Sequence, residues 1–146
     1  MDKHKNYLDI AEIISKRSKC VSKKVGAIIV KDDRILSTGY NGTPKGYVNC
    51  CDYWDDEHTS DHHEWSKKYE IHAEQNAILW AARKGIAIEE SEIYCTHKPC
   101  SQCTKLIIAS GIKHIYYKKD YDKEITINDD MNKFLIENNV LITRFV

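Results

Sequence analysis

Two short runs constrain this chain more than anything else in it. They are His72-Ala73-Glu74 and, about twenty-five residues on, Pro99-Cys100-Ser101-Gln102-Cys103. One imidazole and two thiolates can hold three corners of a zinc tetrahedron, with water at the fourth. Glu74 is then left free to move protons. Those parts describe an open, catalytic metal site, because a closed structural site fills its fourth corner with another protein ligand.

Both runs sit where the pattern predicts helices to begin. A helix N-terminus carries unpaired N–H groups and partial positive charge, and a thiolate is favoured there. Pro99 suits a helix start, and Cys100 and Cys103 are three apart, so they meet on one face. A lone Cys-x-x-Cys is equally a structural half-site or a redox pair, and a lone His-x-Glu has almost no specificity. In this order, each before a helix and separated by a strand, they are far more specific.

Helical spacing of apolar residues covers Tyr7–Lys19, and Val25–Val30 reads as a buried strand. Asp32-Asp33 is a turn into a partner strand, Ile35–Tyr40, so the pair forms a hairpin. Residues 39–46 are a Gly-rich loop. Tyr47–Glu70 is polar, rich in Cys and His and almost without aliphatics; it reads as a loop with a helical piece near His58–Lys68. Beyond it the pattern predicts helix His72–Lys84 stopped by Gly85, strand Ile93–Thr96, helix Pro99–Ser110 stopped by Gly111, strand Lys113–Tyr117, helix Asn128–Asn138 and strand Val140–Val146. Strands alternating with helices argue an α/β layered fold around a mixed sheet, with parallel pairs in its second half.

At 146 residues the chain suits a single domain, 1–146, with one core. Lys plus Arg and Asp plus Glu are 22 each, so nothing draws the whole molecule to a polyanion and a nucleic-acid partner is disfavoured. No apolar run spans a bilayer, and the first residues lack a signal peptide's apolar core, so a soluble, cytoplasmic protein without a membrane partner is expected. In that setting six cysteines point to metal ligation rather than disulfides.

The His-Ala-Glu and Pro-Cys-x-x-Cys pair matches the known signature of zinc-dependent base deaminases. Further runs narrow the likeness: Lys24–Val30, Ser37-Thr-Gly-Tyr-Asn-Gly-Thr-Pro44, Asn49-Cys-Cys-Asp-Tyr53, His72–Ile78, Thr96–Cys103 and Ser110-Gly-Ile-Lys113. Through them the chain resembles the deoxycytidylate deaminases, close to the phage type, in a cytidine-deaminase-like, three-layer α/β/α fold on about five strands. The resemblance implies hydrolysis of deoxycytidine monophosphate to deoxyuridine monophosphate, the thymidylate precursor. Glu74 would be the proton carrier, and His72, Cys100 and Cys103 would hold the catalytic zinc. It places Asn41 against the deoxyribose, Ser22 and Lys24 near the phosphate, and Tyr121 over the substrate. A nucleic-acid-editing deaminase and a non-catalytic zinc module are the competing readings; the balanced charge argues against the first, and Glu74 has no use in the second.

Cys20, Cys50, His58, His62, His63 and Glu70 call for a second metal that would staple the apolar-poor loop to the first helix. The resemblance implies a structural zinc on Cys20, Cys50, His62 and Glu70, with His58 competing for the fourth place. Cys51 and Cys95 are left as buried small hydrophobes. The resemblance also implies a homo-oligomer, a hexamer, activated by deoxycytidine triphosphate with Mg2+ and inhibited by deoxythymidine triphosphate. Gly42, Trp80 and Arg83 are the effector residues this suggests. The stretch between Cys50 and His58 is brief beside phage relatives that carry an insertion there. A virus-borne chain of this kind would act in the cytoplasm of its host.

Overall fold

A computed structural model describes residues 2–54, 60–120 and 129–145. The chain runs α1 (Lys3–Ser15), β1 (Gly26–Lys31), β2 (Arg34–Tyr40), α2 (Cys50–Tyr53), α3 (Ser60–Tyr69), α4 (Ala73–Lys84), β3 (Glu92–His97), α5 (Ser101–Ala109), β4 (His114–Lys119), α6 (Asp129–Glu137) and β5 (Leu141–Arg144). The five strands form one sheet in the order β2-β1-β3-β4-β5. β1 is antiparallel to both β2 and β3, whereas β3, β4 and β5 are parallel. The hairpin turns at Asp32 and Asp33, both at positive φ (52° and 57°), the geometry that matches the twist of paired strands.

Strand alternation splits the core in two. Ala27, Ile29, Ile93, Cys95 and Ile115 face Ala73, Ala77 and Ala81 of α4, Ile107 of α5 and Leu135 of α6. Ile28, Val30, Tyr94 and Tyr116 face Leu8 and Ala11 of α1. The result is the expected three-layer α/β/α arrangement on a mixed sheet. The sheet is pressed closely from both sides. A methyl group at Gly26 would overlap the Ala11 carbonyl of α1, and one at Gly39 would overlap the Ala73 carbonyl and lie 2.6 Å from the Ala77 nitrogen of α4. Small residues on both partners let backbone approach backbone.

Several bounds differ from the sequence expectation. The first helix runs Lys3–Ser15 rather than Tyr7–Lys19, because Asp2 caps it by accepting the His4 N–H at 2.9 Å. Pro99 lies outside the fifth helix: Cys100 is its extended N-cap (φ −70°, ψ 172°). Cys50–Tyr53, read as loop, is one helical turn in which the Asn49 N–H donates to the Asp52 carboxylate at 3.0 Å. Cys51 is exposed at the outside of that turn, not buried, whereas Cys95 is fully buried in β3.

The topology brings the chemistry together. Antiparallel pairing sets Gly26, the first residue of β1, beside Tyr40, the last of β2, and near the end of β3. The Gly26 N–H donates to the Thr96 hydroxyl at 3.1 Å. One end of the sheet therefore carries the segment before β1, the loop after β2, the start of α4 and the run from β3 into α5.

Candidate active site

His72 is the N-cap of α4, extended at φ −70° and ψ 154°, and its N–H donates to the Gln75 side chain at 2.9 Å. The chain thus enters the helix with the His72 ring turned toward α5. Its Nδ1 lies 3.3 Å from Cys103 Sγ and 3.6 Å from Cys100 Sγ. Donor atoms of His72, Cys100 and Cys103 all lie within 4.8 Å of one another, close enough to share one small cation. Two thiols and an imidazole are a soft set of the kind zinc takes.

The electrostatics agree with that use. A hydrogen bond from Cys103, burial notwithstanding and helped by His72, holds the Cys100 thiol down at about 4. Cys103 is pushed up in return, by that same shared hydrogen bond and by burial. The hydrogen bond to Cys100 raises His72. Glu74, in the first turn of α4 and only 2% exposed, is pushed up by burial to about 7, against an ordinary 4.5. A carboxyl with that proton affinity can both accept and return a proton near neutral pH.

A cavity of about 680 Å³ opens over these groups. Among the residues that line it are Ser22, Asn41, Glu74 and Cys100. Asn41 is pinned on all sides. Its side chain accepts the Val25 N–H at 2.8 Å and donates to the Lys23 carbonyl at 2.7 Å, and its own carbonyl accepts from Ser18 at 2.8 Å. One amide hydrogen and one lone pair of Asn41 remain for a ligand. Lys24 is exposed and is not among the lining residues; its neighbour Lys23, half-buried, is. Tyr121 and His58 lie outside the described residues. Sequence reasoning missed Lys23, Ser66, Lys67, Ser101 and Gln102, which also line the cavity, as does His63, which is not part of the second donor cluster it was grouped with. Lys67 lies four residues after His63, and that helical spacing was the available signal for it.

The second donor cluster also forms. Cys50 Sγ lies 3.0 Å from His62 Nε2, and Cys20 Sγ lies 3.7 Å from Glu70 Oε1. One donor atom each from Cys20, Cys50, His62 and Glu70 lie mutually within 4.8 Å. Glu70 Oε1 accepts from Ser66 at 2.6 Å, while its Oε2 is buried with no hydrogen-bond partner among the described residues. A buried carboxylate oxygen left bare costs free energy that a cation would recover. Burial pushes the Cys50 thiol up to about 12, a cost a metal would also reverse.

On the far side of residues 41–42 lies a groove of about 800 Å³, lined among others by Gly42, Trp80 and Arg83 and by the cations Arg17, Lys19 and Lys45. The Arg83 guanidinium carbon is 6.0 Å from the Trp80 ring centre and the Lys84 ammonium 4.9 Å. The N–H and C=O of Gly42 are both taken by Ile71, at 3.1 and 2.8 Å, so Gly42 presents a bare Cα rather than a free amide.

Comparison with known proteins agrees with the residues. Residues 1–119 match the family model for the cytidine and deoxycytidylate deaminase zinc-binding region. The chain is 44% identical to the deoxycytidylate deaminase of Enterobacteria phage T4, over 88% of this chain and 84% of that one. The dCMP deaminase of cyanophage S-TIM5, solved with dCMP and dUMP, superposes with a TM-score of 0.79 at 36% identity over 99% of both chains. A tRNA:A34 deaminase shares the fold at a TM-score of 0.55 and 17% identity.

Proposed function

The chain belongs to the cytidine and deoxycytidylate deaminase zinc-binding family, and from that membership we propose that it hydrolyses deoxycytidine monophosphate to deoxyuridine monophosphate and ammonia. The observation that carries the reading is Glu74, buried and pushed up to about 7, beside three convergent soft donors at the floor of a cavity. Zinc on His72, Cys100 and Cys103 would supply the Lewis acid that makes water nucleophilic near neutral pH. Glu74 accepts the proton that the attacking water gives up. It gives that proton to the ring nitrogen, then takes the second one from the new hydroxyl and gives it to the leaving amine, so that ammonia departs and a carbonyl remains. Asn41 and Ser22 face the sugar-phosphate part of the substrate in this reading.

Cys20, Cys50, His62 and Glu70 hold a second, structural zinc in this reading, supported by the bare Glu70 oxygen. The groove beside Trp80 and Arg83 takes a triphosphate with Mg2+. Deoxycytidine triphosphate activates there and deoxythymidine triphosphate inhibits, within a homohexamer. The four cations of that groove and the Trp80 ring support the assignment, since they offer charge to a polyphosphate and a face to a base.

The test is steady-state deamination of deoxycytidine monophosphate by protein of measured zinc content, with and without each triphosphate. Deoxycytidine and a single-stranded DNA oligonucleotide serve as competing substrates. Faster turnover of the oligonucleotide would replace the mononucleotide reading by an editing one. A hyperbolic curve unmoved by either triphosphate would reject regulation.

A further inference from the structure

We propose that Asn41-Gly42 is a latent self-modification site, at which the chain loses the Asn41 amide whenever the bonds that hold this turn let go. Of the asparagines in the chain, only Asn41 is followed by glycine. Asparagine is a thermolabile residue, and its amide is lost when the next backbone nitrogen attacks it. Glycine has no Cβ to obstruct that attack. The Gly42 nitrogen forms a bond to Asn41 Cγ, the Cγ–Nδ2 bond breaks, and the Gly42 amide proton leaves with the ammonia. Water then opens the five-membered imide at either carbonyl. The products are an aspartate or an isoaspartate at position 41, and no oxidant or reductant takes part.

The fold blocks that reaction at both of its atoms. The attacking nitrogen is engaged, because the Gly42 N–H donates to the Ile71 carbonyl at 3.1 Å, and the Ile71 N–H donates back to the Gly42 carbonyl at 2.8 Å. The amide under attack is held from turning, because it accepts the Val25 N–H at 2.8 Å and donates to the Lys23 carbonyl at 2.7 Å. The Asn41 backbone carbonyl accepts from the buried Ser18 hydroxyl at 2.8 Å. Both residues nevertheless border open space. Asn41 lines the cavity and the groove, and a methyl on Gly42 would meet nothing within 4 Å among the described residues. Water is at hand once the turn opens. Neither product fits the turn. An aspartate sets oxygen against the Lys23 carbonyl, and an isoaspartate lengthens the backbone by one atom and pulls Gly42 off Ile71. The loss is therefore one-way.

The test follows Asn41 by peptide mass spectrometry in zinc-loaded, full-length protein kept in mildly alkaline buffer, and in the same chain unfolded in guanidinium chloride. Isoaspartate, separated by chromatography, is scored apart from aspartate, because direct hydrolysis of the side chain yields aspartate alone. Conversion is expected to be at least about a hundredfold slower in the folded chain, as for a turn that opens in about one molecule per hundred. Ser18→Ala, short of one hydrogen bond to the turn, raises the folded-state rate about fivefold. Ser37→Ala removes a buried hydrogen bond of 2.6 Å to the Ala77 carbonyl, outside the turn, and leaves the rate within about twofold of wild type. Equal rates in the folded and unfolded chain, aspartate without isoaspartate, or an unfolded Asn41 that converts no faster than Asn138 would each overturn the proposal. So would no rise in Ser18→Ala, or an equal rise in Ser37→Ala. The comparison of folded with unfolded wild type needs no variant, and its readout is mass rather than turnover, so the deaminase reading stands or falls separately.

Discussion

Glu70 and His72 are separated by a single residue and serve two different donor clusters. The Glu70 carboxylate joins Cys20, Cys50 and His62, and the His72 ring joins Cys100 and Cys103. Ile71 between them is locked to Gly42 by two backbone hydrogen bonds of 3.1 and 2.8 Å. Whatever orders the first cluster therefore also aims the imidazole of the second. From this linkage Cys50→Ala is expected to leave one zinc per chain by metal analysis and to destabilise the fold by on the order of 4 kcal/mol. Amide exchange should rise most over residues 60–69. Two zincs retained in Cys50→Ala would remove the second site.

Glu74→Gln keeps the shape of the floor and removes the proton carrier. It should retain zinc at the His72 cluster and lose about 10²–10⁴ in kcat. The check is turnover on variant protein whose zinc matches the wild type; near-normal turnover there would end the assigned role.

The buried Glu74 also sets a pH dependence in metal-free protein. Its folded value, about 7, lies above the ordinary 4.5. The fold thus favours the protonated form. That stabilisation is fully present below pH 4.5 and is lost as pH rises through 7. Removing the ionisable group should then stabilise metal-free protein at pH 8 by about 3 kcal/mol and change little at pH 4. Urea melts of wild type and Glu74→Gln at both pH values, after chelation, measure the difference; equal gains at the two would contradict the burial argument.

Gly39→Ala drives a methyl into the backbone of α4 at Ala73 and Ala77. The helix whose start carries His72 and Glu74 must move, so stability should drop by about 2–4 kcal/mol and activity with it. Gly42→Ala meets nothing within 4 Å among the described residues and should stay within about 0.5 kcal/mol of wild type. Equal effects of the two in denaturant titration would show that the close approach is relaxed at little cost.

What could be read beforehand follows from where periodicity is strong. Helix α4, with its Ala73-Ala77-Ala81 stripe and Gly85 stop at φ 67°, and the all-buried β1 announce themselves by spacing alone. So do His72, Cys100 and Cys103, at two helix starts, whereas the set Cys20, Cys50, His62 and Glu70 is implied only by the family resemblance. α2 was hard to see, and α3 legible only as a helical piece near His58–Lys68, because residues 47–70 have almost no aliphatic stripe; their order comes from contacts such as Cys50 with His62. The choice of Lys23 over Lys24 was invisible for another reason. It is made by the Asn41 side chain, eighteen residues from Lys23 in sequence, and no local pattern encodes a clamp of that range.

Cys20, Asn41, Glu70 and Ile71 line both the cavity over Glu74 and the groove beside Trp80. They make a party wall one side chain thick. A substitution that enlarges one chamber at these positions takes the space from the other. Substitutions in this wall therefore reshape both chambers at once, and either shape is better altered from the outer faces, at Lys67 or Arg83, where each chamber has lining of its own.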